Sequence, residues 1–198
     1  MITAEEIEFA GQYVESLRQL VHGLELPSSN RSRAAASSLG IALQHHHAIV
    51  RLTKEELYAS SFALLRIEFE AYIRGEWLSL CASDSIIEAF LKGKEPPKID
   101  CLLSELEMLE GFENKELYNI KNNTWKGLCG YTHTSGLHVQ RWNTEDAIEA
   151  NYSREEILDA LKFAEIIASL SVIGIARLAG NEDLAKHVYV TLKQRMRF

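Results

Sequence analysis

The sequence predicts an all-α protein, a single-domain bundle of roughly six to eight helices. Helix-start signals recur along the whole chain, whereas no segment shows sustained alternation of β-branched residues with the period of two that marks a strand. Only three prolines interrupt the 198 residues, a length that can bury one good core. Residues 1–198 are therefore expected to form one helical domain.

Three capping boxes mark helix starts, because a Ser or Thr and a Glu three residues later satisfy the first free N–H groups of a helix. The boxes are Thr3 with Glu6, Thr53 with Glu56, and Ser153 with Glu156. Asp84 and Asn181 are expected to cap two further helices, and Gly180 to close the last but one. The expected helices cover about residues 3–24, 32–52, 53–82, 84–93, 98–109, 115–129, 153–180 and 181–194.

Two of these helices, 54–82 and 154–179, are expected to be central because both are apolar on several faces. The small residues of segment 34–38, together with Gly174, would let neighbouring helices approach closely. Apolar residues cover more helix faces than a bundle of this size needs, so we also expect a homodimer.

Composition and charge argue against nucleic acids and membranes as partners. The formal net charge is −7 and the isoelectric point about 5.5, which argues against a broad nucleic-acid-binding surface. The cysteines, Cys81, Cys101 and Cys129, are odd in number and widely spaced, as expected of reduced thiols in a cytoplasmic protein. No signal peptide is recognisable, and the longest apolar run, residues 166–176, is shorter than the about twenty residues that cross a bilayer. We therefore expect a cytoplasmic protein with neither a membrane nor a nucleic acid as its partner.

The segment from Lys126 to Trp142 differs in composition from everything around it. Its sequence, KGLCGYTHTSGLHVQRW, contains three glycines, two histidines and two aromatic residues. We expect a non-helical insert, because the glycines interrupt the helical pattern and such a segment must satisfy its own backbone groups. The mixture of His, Arg, Tyr and Trp fits a binding or catalytic loop.

The first central helix carries charges among large apolar side chains. Arg66, Glu70 and Arg74 recur at four-residue spacing, which places them on one stripe. Charges in such surroundings must be paired or solvated, since an isolated buried ion costs several kcal/mol. The stripe is therefore a self-satisfied Arg–Glu–Arg ladder, a pocket with one arginine free for an anion, or a solvated surface feature.

Three consecutive histidines, His45, His46 and His47, cannot all bind one metal, because helical side chains diverge by about 100° per residue. His46 and His47 flank an apolar face, where a hydrogen-bonded packing role is the ordinary one. His47 is nevertheless a candidate for lining a site with the arginine stripe. We expect no metal and no cofactor, since neither HExxH nor a pair of ExxH motifs is present.

Within the expected loop, His133 and Arg141 are the most credible functional pair. Histidine transfers protons at neutral pH, and arginine holds phosphate or carboxylate groups. His133 is the best catalytic candidate, while Tyr131 and Trp142 either line the site or pin the loop to the bundle. Zinc held by the two histidines of the loop, or a thiol nucleophile at Cys129, is a weaker alternative.

Three segments characterise the chain together: LLRIEFEAYIRGEWL, FLKGKEPPKID and YTHTSGLHVQRW. In this order and separation they resemble a family of small, uncharacterised bacterial helical proteins, a domain of unknown function, over about residues 55–180. The resemblance implies an all-helical, cytoplasmic bacterial protein and carries over no catalytic residue. The motif positions are Arg66, Glu70, Arg74, Tyr131, Thr132, His133, Arg141 and Trp142.

A weaker resemblance is to the HEPN ribonucleases of toxin–antitoxin and phage-defence systems, helical proteins whose site is an arginine followed closely by a histidine. Here Arg18 and His22 have only three residues between them, fewer than that family places there. A nuclease site would therefore require Arg74 or Arg141 to meet His133 in space.

Two classes of function are thus predicted. The first is a binding module for a small anionic ligand or a protein partner, in which the stripe and the loop form one polar concavity. Its expected site residues are Arg66, Glu70, Arg74, His47, Tyr131, His133, Arg141 and Trp142. The alternative is a HEPN-like, metal-independent ribonuclease or another hydrolase, with His133 as general acid–base and arginine stabilising phosphate charge.

Overall fold

The computed structural model describes residues 2–112 and 114–196, which form nine helices and no strand. This confirms the all-α prediction, with one short helix more than expected. Within the described residues, no helix combines the length and the apolar composition needed to cross a bilayer. The helices are α1 (Ala4–Val21), α2 (Asn30–Lys54), α3 (Tyr58–Leu80), α4 (Asp84–Leu91), α5 (Ile99–Leu106), α6 (Glu116–Thr132), α7 (Gly136–Gln140), α8 (Arg154–Leu178) and α9 (Glu182–Arg195).

The centre of the fold contains the two helices that were predicted there, α3 and α8, and also α2, which was not. Helix α2 packs along both of them, α5 and α6 cover another face of α3, and α1 and α9 cover α8. Phe69 and Ile73 of α3 are fully buried, as is Ile167 of α8. Burying an Ile or Phe side chain stabilises a protein by about 1.5–3 kcal/mol, so these positions fix α3 and α8 in the core.

Leu39 of α2 holds the three central helices at close range. A Cβ atom added at Gly75 of α3 would lie 2.7 Å from the Leu39 side chain, and one added at Gly174 of α8 would lie 2.9 Å from it. Both distances are shorter than carbon–carbon contact allows, so only glycine fits at these two positions. The prediction that Gly174 permits close helix approach is therefore confirmed.

Most of the predicted caps are present, and one is shifted by a residue. The capping boxes of α1 and α8 are formed, and Asn181 accepts a backbone hydrogen bond to cap α9. The cap of α4, however, is Ser83 rather than Asp84, because the Ser83 hydroxyl accepts the Ile86 N–H at 3.4 Å. Asp84 is the first residue of the helix, where a carboxylate is favourable to the helix dipole and pairs with Arg31 at 2.7 Å.

Thr53 does not cap α3, contrary to the prediction. It lies inside α2, is buried, and its hydroxyl is 2.8 Å from the hydroxyl of Ser61. Helix α2 continues to Lys54, and α3 begins at Tyr58 after Leu57, whose side chain makes no capping hydrogen bond. A hydroxyl pair between two helices satisfies polar groups inside the core, and this tertiary contact overrides the local capping pattern.

The prediction of a non-helical insert over residues 126–142 is wrong. Helix α6 extends to Thr132, and the short helix α7 follows after a turn. A Cβ atom at Gly130 would lie 2.8 Å from the Ser135 hydroxyl oxygen. The glycine thus lets the turn fold back against α6 instead of breaking the helix, which explains why composition alone misleads here.

We expect the substitution Gly174→Ala to lower the free energy of unfolding by about 1–3 kcal/mol, because the new methyl group overlaps both the Glu76 carboxylate and the Leu39 side chain and must displace them. Urea denaturation followed by circular dichroism measures the change. Gly40→Ala is the matched control: it lies within α2, and no heavy atom lies within 4 Å of its added Cβ. The free energy of unfolding of this control should rise by about 0.5–1 kcal/mol, because alanine favours a helix more than glycine does. Equal changes in the two variants would contradict close packing at position 174.

Candidate functional site

Arg66 is the centre of a polar cluster between α3 and α6. Its Nε donates to Glu70 Oε1 at 2.7 Å, and its Nη1 lies 2.7 Å from His133 Nε2. Its guanidinium carbon lies 4.8 Å from the centre of the Trp125 ring, within the range of a cation–π contact. The side chains of Arg66 and Glu70 are 22% and 25% exposed, so the cluster lies at the edge of the core and reaches solvent.

The end of α6 positions His133 in this cluster. The Thr132 hydroxyl lies 2.9 Å from the Leu128 carbonyl oxygen and 3.3 Å from the Ala63 carbonyl oxygen of α3, which ties the two helices together. His133 is the C-cap residue of α6. Because a guanidinium can only donate, Arg66 donates to His133 Nε2, and this atom carries no proton in the arrangement described.

Arg74 lies two turns further along α3, on the same stripe. Within residues 2–112 and 114–196, its guanidinium makes no hydrogen bond and no ion pair, and its Nε atom is buried. Buried donors are almost always satisfied, so an unpaired one indicates water or a ligand as its partner. The stripe is therefore not a closed Arg–Glu–Arg ladder, since Glu70 pairs with only one of the two arginines.

The other cation on this side of the molecule is Lys121 of α6. It pairs with Asp100 of α5 at 2.7 Å and lies 5.6 Å from the centre of the Trp125 ring. Glu105 of α5 also reaches α3, where it accepts from the Trp77 indole N–H at 2.7 Å, so three carboxylates balance the three cations here.

Arg141 belongs to a different cluster. It forms an ion pair with Glu156 of α8, in which Nε, at 2.8 Å, and Nη2 both donate to the single oxygen Oε1. Tyr131 lies beside this pair, and the pKa of its hydroxyl is raised by burial and by the Glu156 carboxylate. Trp142 is 41% exposed. Among the described residues, no contact joins Arg141 or Trp142 to the Arg66 cluster, so the residues expected in one concavity occupy two places.

His138 turns into the protein, whereas His133 is exposed. The His138 ring lies 5.3 Å from the Tyr131 ring and 6.5 Å from the Tyr152 ring, in edge-to-face arrangements. Both ring nitrogens are buried and have no hydrogen-bond partner in the described part of the chain. The two histidines therefore do not face one cation, and the residues that the structure describes contain no group of three His, Cys, Asp or Glu side chains placed to hold a metal.

The triple histidine lies elsewhere, on α2 against α1. His47 is exposed and lines a cavity of about 420 Å³ with Arg18 and His46. His46 is buried, and burial lowers its pKa to about 3. No contact of the Arg66 cluster involves His47, so the structure does not bring this predicted site residue to the stripe.

A second stripe on α3 escaped the sequence reasoning. Glu68, Tyr72 and Glu76 also recur at four-residue spacing, but they are almost fully buried. Glu76 pairs with Arg177 of α8 at 2.5 Å, whereas neither carboxyl oxygen of Glu68 has a partner among the described residues. Burial raises the pKa of both carboxyl groups. The same four-residue spacing that predicted the Arg66 stripe could have predicted this second stripe from the sequence.

A family model described as a family of unknown function (DUF6988) matches residues 39–196. This range covers most of α2 and all of α3 to α9, and so includes both charged stripes of α3. Comparison with curated proteins and with solved structures gives no significant match.

We expect Glu68→Met to raise the free energy of unfolding at pH 7 by about 1–3 kcal/mol, because the folded protein no longer buries an unpartnered carboxyl group. Burial raises the folded-state pKa of Glu68 above 4.5, the value of an unperturbed carboxyl group. The contribution of Glu68 to the free energy of unfolding is therefore most favourable below pH 4.5, where the group is protonated in both states. This contribution is lost as the pH rises through the folded-state pKa. Urea titrations between pH 4 and 8 would measure both effects.

Glu68→Gln is the matched control for this experiment, because it keeps the size and polarity of the side chain but cannot ionise. It should remove the same part of the pH dependence while gaining less stability than Glu68→Met. If Glu68→Met were less stable than the wild type at pH 7, the carboxyl group would have a stabilising partner, contrary to the arrangement described.

Proposed function

We propose that this chain, which belongs to the family of unknown function DUF6988, is a binding protein that holds a small anionic ligand on the α3 face carrying Arg66, Glu70 and Arg74. The observation that supports the proposal is Arg74, a partly buried cation without a protein partner in the described residues. A cation in such a position is stabilised by an anion from outside the chain.

Arg66 would serve as the oriented second anchor. Glu70, His133 and Trp125 restrain its guanidinium from three directions, which lowers the entropy that a ligand would have to remove. No hydrogen bond among the described residues occupies its Nη2 group, so this edge is available to an anion. Arginine suits the task because its planar fork matches carboxylate and phosphate oxygens.

The spacing of the two arginines favours a ligand with two anionic groups. Eight residues of α-helix separate Arg66 from Arg74, which is about 12 Å along the axis. Long, flexible side chains can close part of that distance, so a diphosphate or a di- or tricarboxylate fits better than a single small ion. Glu70 between the anchors disfavours anionic groups placed at the middle of the stripe.

A hydrolase remains the second candidate because of one contact, the 2.7 Å separation of Arg66 Nη1 and His133 Nε2. A phosphodiester held by Arg66 would lie beside a histidine able to transfer a proton. The spacing of Arg18 and His22 does not fit the HEPN pattern, and Arg18 forms an exposed ion pair with Glu15. The arginine beside His133 is Arg66, and not Arg74 or Arg141 as that resemblance required. Incubating the purified protein with single-stranded RNA, with and without His133→Ala, separates a ribonuclease from a binding protein.

A cytoplasmic location in a bacterium and a homodimeric state are parts of the same proposal. The three cysteines are free, which fits a reducing compartment. Sixteen large hydrophobic residues are exposed at the surface of the described chain, among them Phe9, Leu57 and Ile148. Light scattering that gave a mass of 22.4 kDa, that of one chain, would rule out the dimer.

We expect pyrophosphate or citrate to raise the melting temperature of the wild-type protein, and Arg74→Gln to abolish the rise. A ligand at about ten times its Kd adds about 1.4 kcal/mol, which corresponds to about 3–6 °C for a chain of this size. Differential scanning fluorimetry at constant ionic strength, adjusted with sodium chloride, removes general salt effects.

Arg33→Gln is the matched control for Arg74→Gln. It removes the same charge from an exposed position of α2 and should leave the response to pyrophosphate unchanged. A shift of equal size in the wild type and in both variants would show that the anion binds elsewhere, and no shift with either anion would refute the proposed ligand class.

We expect Glu70→Gln to cost at most about 1 kcal/mol of stability, because the Arg66–Glu70 pair is partly exposed. The amide oxygen can still accept from Arg66 Nε, while the lost negative charge should strengthen pyrophosphate binding. Urea denaturation and calorimetric titration measure the two effects. A loss of about 3–5 kcal/mol, the cost of breaking a buried pair, would instead identify the stripe as a structural ladder.

A further inference from the structure

We propose that a second site, separate from the α3 face described above, binds a small amphiphilic carboxylate, that is, an apolar chain or ring ending in one anionic group. The site is a cavity of about 360 Å³ between α3, α6, α8 and α9. This volume lies within the range of about 300–1,000 Å³ typical of small-molecule pockets. Its polar side chains are Tyr72, Glu76 and Arg177, together with Asn114 and Glu116, which are both exposed, and most of the remaining wall is aliphatic or aromatic.

Arg177 provides the anchor for the anionic group. Its Nη2 donates to Glu76 Oε2 at 2.5 Å, and its side chain is 40% exposed while that of Glu76 is only 2% exposed. The remaining N–H groups of Arg177 make no hydrogen bond within the part of the chain that the structure describes. The guanidinium therefore lies at the mouth of the cavity with donors left for a second carboxylate.

The backbone of α8 leaves space for the Glu76 carboxylate of α3. A Cβ atom at Gly174 would collide with Glu76 Oε1, so α8 lacks a side chain where the carboxylate lies. Stability does not explain this arrangement, because an apolar pair of similar volume is often as stable as a buried ion pair or more so. A role in recognition explains why a buried carboxylate and its cation lie at the wall of a largely apolar cavity.

The shape of the cavity selects an elongated ligand. Ile166, Leu170, Ile173 and Arg177 line it along one face of α8. Residues 166 and 177 are about 16 Å apart along the helix axis, so the cavity has a charged end at Arg177 and an apolar end at Ile166. The apolar body of the ligand would lie against the aliphatic residues, where each buried methylene contributes about 0.8 kcal/mol.

Glu76 and Tyr72 would adjust to the bound anion. Tyr72 is buried, and its hydroxyl makes no hydrogen bond within the described residues, so it can donate one to the ligand. Burial raises the pKa of the Glu76 carboxyl, so Glu76 can take up a proton from solvent when a second carboxylate approaches. Arg177 then faces one negative charge from the ligand instead of two.

A larger cavity, of about 670 Å³ between α1 and α9, offers no comparable anchor. Its cation, Arg195, is bound by both oxygens of Glu165. The same guanidinium lies 4.1 Å and 4.0 Å from the centres of the Phe9 and Tyr13 rings. Arg195 is thus engaged by both carboxyl oxygens and on its ring contacts, whereas Arg177 donates to one oxygen of Glu76 only.

Calorimetric titration with octanoate tests the proposal, with octanol and octylamine as probes that share the chain but not the charge. We expect octanoate to bind the wild type at least 10-fold more tightly than either probe. Arg177→Gln should weaken octanoate binding at least 10-fold, and Glu76→Gln should bind octanoate at least as tightly as the wild type because its neutral amide competes less for Arg177. Leu170→Trp, which fills the apolar part of the cavity and leaves the charges intact, should also weaken binding at least 10-fold.

Arg74→Gln is the control that separates this site from the proposed anion site on α3, and it should leave octanoate binding unchanged. Circular dichroism and melting curves establish that each variant is folded before titration. Equal binding of octanol and octanoate, or tighter binding of octylamine, would overturn the inference. So would a loss of octanoate binding in Arg74→Gln with retention in Arg177→Gln, a result that would instead support the α3 site. A failure of pyrophosphate to bind, with octanoate behaving as expected, would refute only the α3 site.

Discussion

The contact of Leu39 with two glycines determines how closely α2, α3 and α8 pack together, and it brings α8 beside the Glu76 carboxylate of α3. At Gly75 and Gly174 the missing side chains let the backbones of α3 and α8 reach the Leu39 side chain of α2. With α2 and α8 this close, the inward side of α3 has room for few side chains. On α3, Arg66 contacts His133 and Trp125 of the α6 segment, whereas Glu76 contacts Arg177 of α8.

The stripe of Arg66, Glu70 and Arg74 and the stripe of Glu68, Tyr72 and Glu76 accommodate their charged groups in different ways. On the outer side, Arg66 and Glu70 keep about a quarter of their side-chain surface in water, so pairing costs little and contributes at most about 1 kcal/mol. On the inner side, Glu68 and Glu76 are almost completely buried. There desolvation outweighs pairing, and it raises the pKa of both carboxyl groups even though Arg177 opposes the shift at Glu76.

The end of α6 links this packing to the proposed binding face. Gly130 allows the turn at Ser135 to fold back on the helix, and Thr132 reaches the Ala63 carbonyl oxygen of α3. These two contacts leave His133 at the surface beside Arg66. The chain then turns His138 inward between two tyrosines, so histidines that are close in sequence have opposite environments.

The sequence by itself determined the helical class, the central position of α3 and α8, and most helix starts, because apolar periodicity and capping are local properties. It also determined that Arg66, Glu70 and Arg74 share a face, since spacing fixes direction on a helix. Only the tertiary structure decided which of these groups are paired. The bonding of Thr53 to Ser61, the helical state of residues 126–132 and the separation of Arg141 from His133 all depend on contacts between residues distant in the chain. The burial of Glu68 and Glu76 also depends on the tertiary structure. A four-residue spacing places side chains on one face of a helix, but it does not predict which other elements cover that face.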